Sequence, residues 1–237
     1  MMSRLPKKIT PDALLETYVE VHYTTNSPVE VAFGKFYTAL INDFEYLRPP
    51  AQLLNSVLGG QIQAQDEPLF RGQGVQFRLR DGYLGVSCSA EYLGWSIYQQ
   101  RLSHILQLLM ETGEIVRFTR IGLRYINALP WRPANEQLLV QLPTLPPELI
   151  MEQFQYRAQL RTTDGYRVNL MLSDSQRVAG RQGPQSLFDL DIIWEQAPLT
   201  TLQEALSKLD ETHRREKEVF FGLLNPDYLA SLKPEYE

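Results

Sequence analysis

From Arg117 to Asn127 the chain reads Arg-Phe-Thr-Arg-Ile-Gly-Leu-Arg-Tyr-Ile-Asn, with apolar and cationic side chains interleaved at strand spacing. This pattern fixes a long, half-buried strand whose arginines point at something on its polar side. The alternation changes partway along. Val116 and Phe118 share one parity, while Ile121, Leu123 and Tyr125 share the other, which predicts a bulge between Arg120 and Gly122.

The rest of the chain is built around that strand. Residues 12 to 23 alternate as a strand, with Leu15, Thr17, Val19, Val21 and Tyr23 on one face and Glu16, Glu20 and His22 on the other. The period then becomes helical. Val29, Phe33, Phe36, Tyr37, Leu40, Phe44 and Leu47 follow Ser27-Pro28, and Pro49-Pro50 is the expected stop. Residues 69 to 91 read as two antiparallel strands about the Asp81-Gly82 turn, and a second helix carries Trp95, Tyr98, Leu102, Ile105, Leu106 and Leu109 up to Thr112-Gly113. Beyond the arginine strand, Pro130, Pro133, Pro143, Pro146 and Pro147 mark a connector with one helical turn near 136–140. A hairpin about Asp164-Gly165, a strand over 186–195 and a long closing helix over 199–224 complete the chain.

Hairpin connections and segregated helices predict an α+β fold, an antiparallel sheet or sheets with helices packed on one face. The expected division is a first half at 1–129, a proline-rich connector at 130–148 and a second half at 149–237, similar halves packed as one compact unit. At 237 residues and 43% apolar side chains the chain can bury a substantial core. Its net charge of −5 gives no global basic footprint for a phosphate backbone. A single cysteine, Cys88, excludes an internal disulfide, no apolar run reaches membrane-spanning length, and the opening residues lack a secretory pattern. The expectation is a cytoplasmic protein with no membrane partner.

The run Thr119–Asn127, the later Leu187-Phe188-Asp189-Leu190-Asp191-Ile192, the close with His213 and Glu218-Val219-Phe220-Phe221, and the helix start Gly94-Trp95-Ser96-Ile97-Tyr98 occur in a set order. Together they resemble a sporadically distributed family of uncharacterised bacterial and archaeal proteins of similar length, across nearly the whole chain. Its patchy distribution implies mobile genes of the kind tied to phage defence, toxin control or other accessory systems. The chain departs from the family pattern at Ile9-Thr10-Pro11-Asp12, where a proline-rich lead into the first strand is usual.

Candidate chemistry is sparse. Asp189 and Asp191 lie two apart on a strand, so their carboxylates share a face about 7 Å apart. Such a pair can bind a cation or divide acid and base roles. The simpler reading is an ion-pair network with Arg120 and Arg124 from a neighbouring strand. Arg117, Arg120 and Arg124 can alternatively grip a phosphate or carboxylate. His213 lies on the apolar stripe of the closing helix, where a base is conceivable and a core-edge histidine is the ordinary case. His22, His104, His213 and Cys88 show no zinc spacing, Gly85-Val86-Ser87-Cys88-Ser89 lacks the last glycine of a nucleophile elbow, and Gly72-Gln73-Gly74 opens no helix. Cys88 in its apolar strand register is expected to be a buried, inert thiol.

These observations favour a non-enzymatic binding or regulatory module that recognises another protein, with no cofactor, metal or catalytic residue assigned. One alternative is a small-molecule binder with a cavity between sheet and helices lined by Arg124 or Tyr125. Another is a hydrolase or metal-dependent enzyme using Asp189, Asp191 and His213. The candidate ligand-binding set is Arg120, Arg124, Tyr125, Asp189, Asp191 and His213. The loop around Arg177 and Arg181 is the one place where nucleic acid contact is conceivable.

Overall fold

The structure is a computed structural model that describes residues 5–47, 69–139, 146, 148–149 and 153–236. The Pro49-Pro50 stop and most of the proline connector fall outside those residues. In chain order the elements are β1 (Pro6–Lys8), β2 (Leu14–Thr25), α1 (Val29–Leu40), β3 (Glu45–Leu47), β4 (Leu69–Gly72), β5 (Val75–Arg80), β6 (Tyr83–Cys88), α2 (Trp95–Glu111), β7 (Ile115–Pro130), α3 (Ala134–Gln137), β8 (Gln155–Arg161), β9 (Arg167–Gln176), β10 (Gln185–Trp194), α4 (Leu202–Leu223), α5 (Pro226–Ser231) and β11 (Glu235–Tyr236). Nine strands form one antiparallel sheet in the order β3-β4-β5-β6-β2-β7-β10-β9-β8, and β1 pairs with β11 separately. The class is α+β.

Two compact units divide the chain, and neither is continuous in sequence. Unit 1 comprises 1–17, 122–194 and 209–237, and unit 2 comprises 18–121 and 195–208. The division falls inside β2 and β7 rather than at the 130–148 connector, because each of these long strands serves both units.

In unit 2 the alternation of β2 is realised as read: Val19, Val21 and Tyr23 are buried while Tyr18, Glu20 and His22 are only half-buried. Leu15, placed on the buried face by its spacing, is instead 41% exposed in unit 1. The buried face carries α1 and α2. Tyr23 meets Phe36 of α1 edge-on, Phe44 meets Phe77, and the Tyr98 hydroxyl of α2 donates to the Val86 carbonyl at 2.7 Å. Each large apolar side chain removed from water in this way, Phe70, Phe77 and Leu102 among them, contributes about 1.5–3 kcal/mol.

The Asp81-Gly82 turn joins β5 to β6 with Arg80 opposite Tyr83. Gly82 has a φ of +61°, and a β-carbon there would lie 2.7 Å from the Tyr23 carbonyl oxygen, so both conformation and space demand glycine. Two expectations need correction here. The helix expected to run to Leu47 ends at Leu40, and Glu45–Leu47 pairs with β4 as an edge strand. Residues 69–88 make three strands rather than two, because Gln73-Gly74 forms a further tight turn with positive φ at both residues.

Unit 1 is organised beneath the C-terminal part of α4. Phe188 of β10 packs edge-on against Phe220, and Tyr125 of β7 lies against His213. The start of α4, which belongs to unit 2, is fixed by a capping box: the Glu204 amide donates to the Thr201 hydroxyl at 3.2 Å, and the Thr201 amide donates to the Glu204 carboxylate at 3.0 Å. In unit 1, Asn225 caps α5 by accepting from the Asp227 amide, with Pro226 in the first turn, and the Tyr228 hydroxyl donates to the Pro130 carbonyl.

Candidate functional site

Each unit leaves polar side chains on the sheet face opposite its buried one. In unit 1 the centre of that face is Arg124 with Asp189. The guanidinium donates from Nε to one carboxylate oxygen at 2.7 Å and from Nη2 to the other at 2.5 Å, a two-pronged contact that occupies both oxygens. This contact holds the Arg124 guanidinium above its already high ordinary pKa, with burial opposing and Asp191 and Glu16 adding to the effect. Asp191 accepts from the Asn169 amide at 3.0 Å across the β9–β10 ladder. Two of the expected residues, Asp189 and Asp191, are thus brought together with Arg124 as strand spacing suggested.

Arg120 is elsewhere. It lies in unit 2 and reaches Glu20 of β2 at 3.2 Å rather than either aspartate of β10, and between Phe118 and Ile121 the buried set of β7 changes parity. Tyr125 and His213 lie on the buried side of unit 1, their polar atoms 3.3 Å apart. Burial, helped by the nearby Lys217 charge, holds the His213 imidazole down at about 3, so it is neutral at physiological pH. Arg124 at 44% side-chain exposure and Tyr125 at 6% residue exposure occupy opposite faces of β7, so they do not line a common cavity.

Strand alternation left a second constellation undetected. On the open face of unit 2, the Tyr18 and Tyr83 hydroxyls share a hydrogen bond of 2.5 Å, Tyr83 donates to Glu20 at 3.5 Å, and His22 Nε2 stands 3.7 Å from Glu20. Glycine makes this possible. A β-carbon at Gly85 would sit 1.9 Å from the Tyr18 hydroxyl oxygen and 2.6 Å from that of Tyr83, so the two phenols occupy the space a side chain would take. Contact with His22, opposed by burial and aided by Arg120, keeps the Glu20 carboxyl below the usual range. Burial raises both phenols, and Tyr83 is raised further by Tyr18. Arg80 lies over the Tyr83 ring at 4.7 Å.

The signal for this cluster was present in the sequence as polar residues alternating on β2 opposite a glycine on β6. Finding it needs the register that pairs Tyr18 with Ser87, Glu20 with Gly85 and His22 with Tyr83.

Other features carry less chemistry. In unit 1, Glu216 of α4 is 2% exposed with its Oε1 unpartnered, and burial pushes its carboxyl up to about 8. The buried Thr17 Oγ1, Asn127 Nδ2 and Ser186 Oγ in the same unit are also unpartnered. Cys88 is half-buried rather than buried, and partial burial raises its thiol. A groove of about 680 Å³ runs between α1 and α2, with Val31, Ala39 and Leu108 flanked by Glu30, Lys35 and Glu111. Among the described residues no group of three or more His, Cys, Asp or Glu side chains is placed to hold a metal ion, and no helix is long and apolar enough to cross a membrane.

No protein-family model matches the chain, and no curated protein is similar to it.

Proposed function

We propose that the chain is a cytosolic, non-enzymatic module that recognises another protein. The observation that carries this reading is the open sheet face of unit 2, where Arg78, Arg80, Arg120, Tyr18, Tyr83 and His22 form a half-exposed layer on a rigid ladder. Arginine and tyrosine are the residue types that dominate protein-recognition surfaces, and a sheet holds them at fixed spacing with little entropy left to lose. The candidate catalytic groups support the same reading. Asp189 has both oxygens engaged by Arg124, Asp191 is held by Asn169, and His213 is half-buried and uncharged on the other face.

Accessory systems such as phage defence or toxin control are the setting that the resembled family's distribution suggests. The α1–α2 groove favours a second reading, a small apolar ligand held between helices in unit 2. Purification of the chain from its native cells, followed by cross-linking and mass analysis, tests the two. A stoichiometric protein partner is expected. A retained small molecule with no protein partner would replace the first reading with the second.

A further inference from the structure

The open face of unit 2 has a charge pattern that narrows the chemistry of its partner. Along β5, Arg78 and Arg80 are two residues apart and project from the same face, which places their bases about 7 Å apart. Arg78 stands across from Gly85, which has no side chain to meet it, and Gly85 in turn stands across from Glu20, whose partner on β7 is Arg120. Arg78, Arg80 and Arg120 thus project from one face of the sheet, with Arg120 alone paired to Glu20. Acidic groups mark the rim: Glu45 of β3 pairs across from Arg71, and Asp81 occupies the turn beyond Arg80.

Deepening the binding-module reading, on which it rests, we infer that the face takes an acidic protein segment that presents two carboxylates about 7 Å apart to Arg78 and Arg80. Arginine suits this occupant. Its planar fork matches a carboxylate edge on, and every cation of this layer other than His22 is an arginine. A single-stranded nucleic acid fits less well for two reasons. Bases need free ring faces to stack on, yet the Tyr83 ring has Arg80 over it and His22 against it, and the Tyr18 and Tyr83 hydroxyls are bound to each other. A continuous phosphate backbone leaving the centre must also pass Glu45 or Asp81 on a chain of net charge −5, whereas discrete carboxylates can be set between them.

The test uses the full chain, a fluorescent oligoglutamate peptide and an oligothymidylate of equal charge, with wild type compared to Arg78→Ala/Arg80→Ala and Arg78→Lys/Arg80→Lys. Circular dichroism and thermal unfolding verify that each variant is folded. The peptide should bind wild type with an affinity that rises as salt is lowered. It should lose about tenfold in the alanine pair, with partial recovery in the lysine pair, which keeps the charge and loses the fork. Absence of peptide binding at low salt, equal binding to wild type and the alanine pair, or tighter binding of the oligothymidylate through the same arginines would each overturn the inference. Capture of the native partner separates this from the broader reading. A protein partner held equally by wild type and the alanine pair removes the acidic segment and leaves the module, whereas failure of both to hold any protein removes the module itself.

Discussion

Arg124, in unit 1, gives Nε and Nη2 to the two oxygens of Asp189, whereas Arg120, four residues earlier on β7 and in unit 2, reaches Glu20 through Nη2 alone and leaves its buried Nε unpartnered. The same side chain on the same strand thus closes one contact and leaves the other incomplete. A two-pronged contact on a carboxylate that is itself 8% exposed is a brace, because both Asp189 oxygens are engaged and little of the group is open to solvent. An unfilled one, on a Glu20 that also meets His22 and Tyr83, has donors to offer. The spacing that makes the two arginines look equivalent says nothing about their partners, which come from different strands.

Four measurements can break or sharpen that contrast. The largest effect should come from Arg124→Ala, which leaves Asp189 nearly buried without its counter-charge; urea unfolding should show a loss of about 2–4 kcal/mol. If Arg124→Ala and Arg120→Ala prove equally costly, the distinction between brace and open site collapses.

Next is Glu216→Met, also in unit 1. The folded carboxyl lies at about 8, above its unfolded value, so between pH 4.5 and 8 the unfolded chain ionises while the folded chain does not. Wild-type stability should therefore fall as pH rises through that window, and the methionine variant should be more stable by roughly 2–4 kcal/mol at pH 8 with little advantage at pH 4. A difference that is flat from pH 4 to 8 would show that the carboxyl does not titrate there.

Gly85→Ala should cost unit 2 about 1–2 kcal/mol by driving the Tyr18 and Tyr83 hydroxyls apart, since the obstruction is the ends of two side chains rather than backbone. Ultraviolet titration reads the result directly, because separation removes what raises Tyr83 and what lowers Tyr18, so Tyr83 should ionise at lower pH and Tyr18 at higher pH than in wild type. Unchanged phenol titration would mean that their hydrogen bond does not govern them.

The smallest effect is expected for Glu20→Gln, under about 1 kcal/mol, as befits a part-exposed ion pair. Its folded pKa is depressed, so its contribution is present above pH 4.5 and disappears as pH falls below it. Acid unfolding of wild type and variant should converge at low pH, and a gap that persists there would assign the effect to packing instead.

The sequence carried much of the frame. Alternation in β2, β5 and β6, the Asp81-Gly82 turn, the Thr112-Gly113 stop after α2 and the apolar stripe of α4 are local signals, and local physics decided them. It misled where pairing across the sheet overrode local period. Phe44 and Leu47 continue the helical spacing of α1, yet Glu45–Leu47 gains a ladder against β4 and leaves the helix. The Gln73-Gly74 turn has no clear local signal, because glutamine seldom adopts the positive φ it has here. In the candidate site, Asp189 and Asp191 were placed with Arg124 because all three follow strand period. The meeting of Tyr18, Glu20, His22 and Tyr83 depends instead on register between β2 and β6, which one sequence does not state.

Discontinuity of the two units has a consequence for biosynthesis. Residues 1–17 of unit 1 leave the ribosome before any of unit 2, unit 2 waits for residues 195–208, and unit 1 waits for residues 209–237. Neither unit is complete until residues past 195 have been made, so the nascent chain must shelter unfinished sheet edges until then. Release of a half-length fragment would deliver neither unit intact.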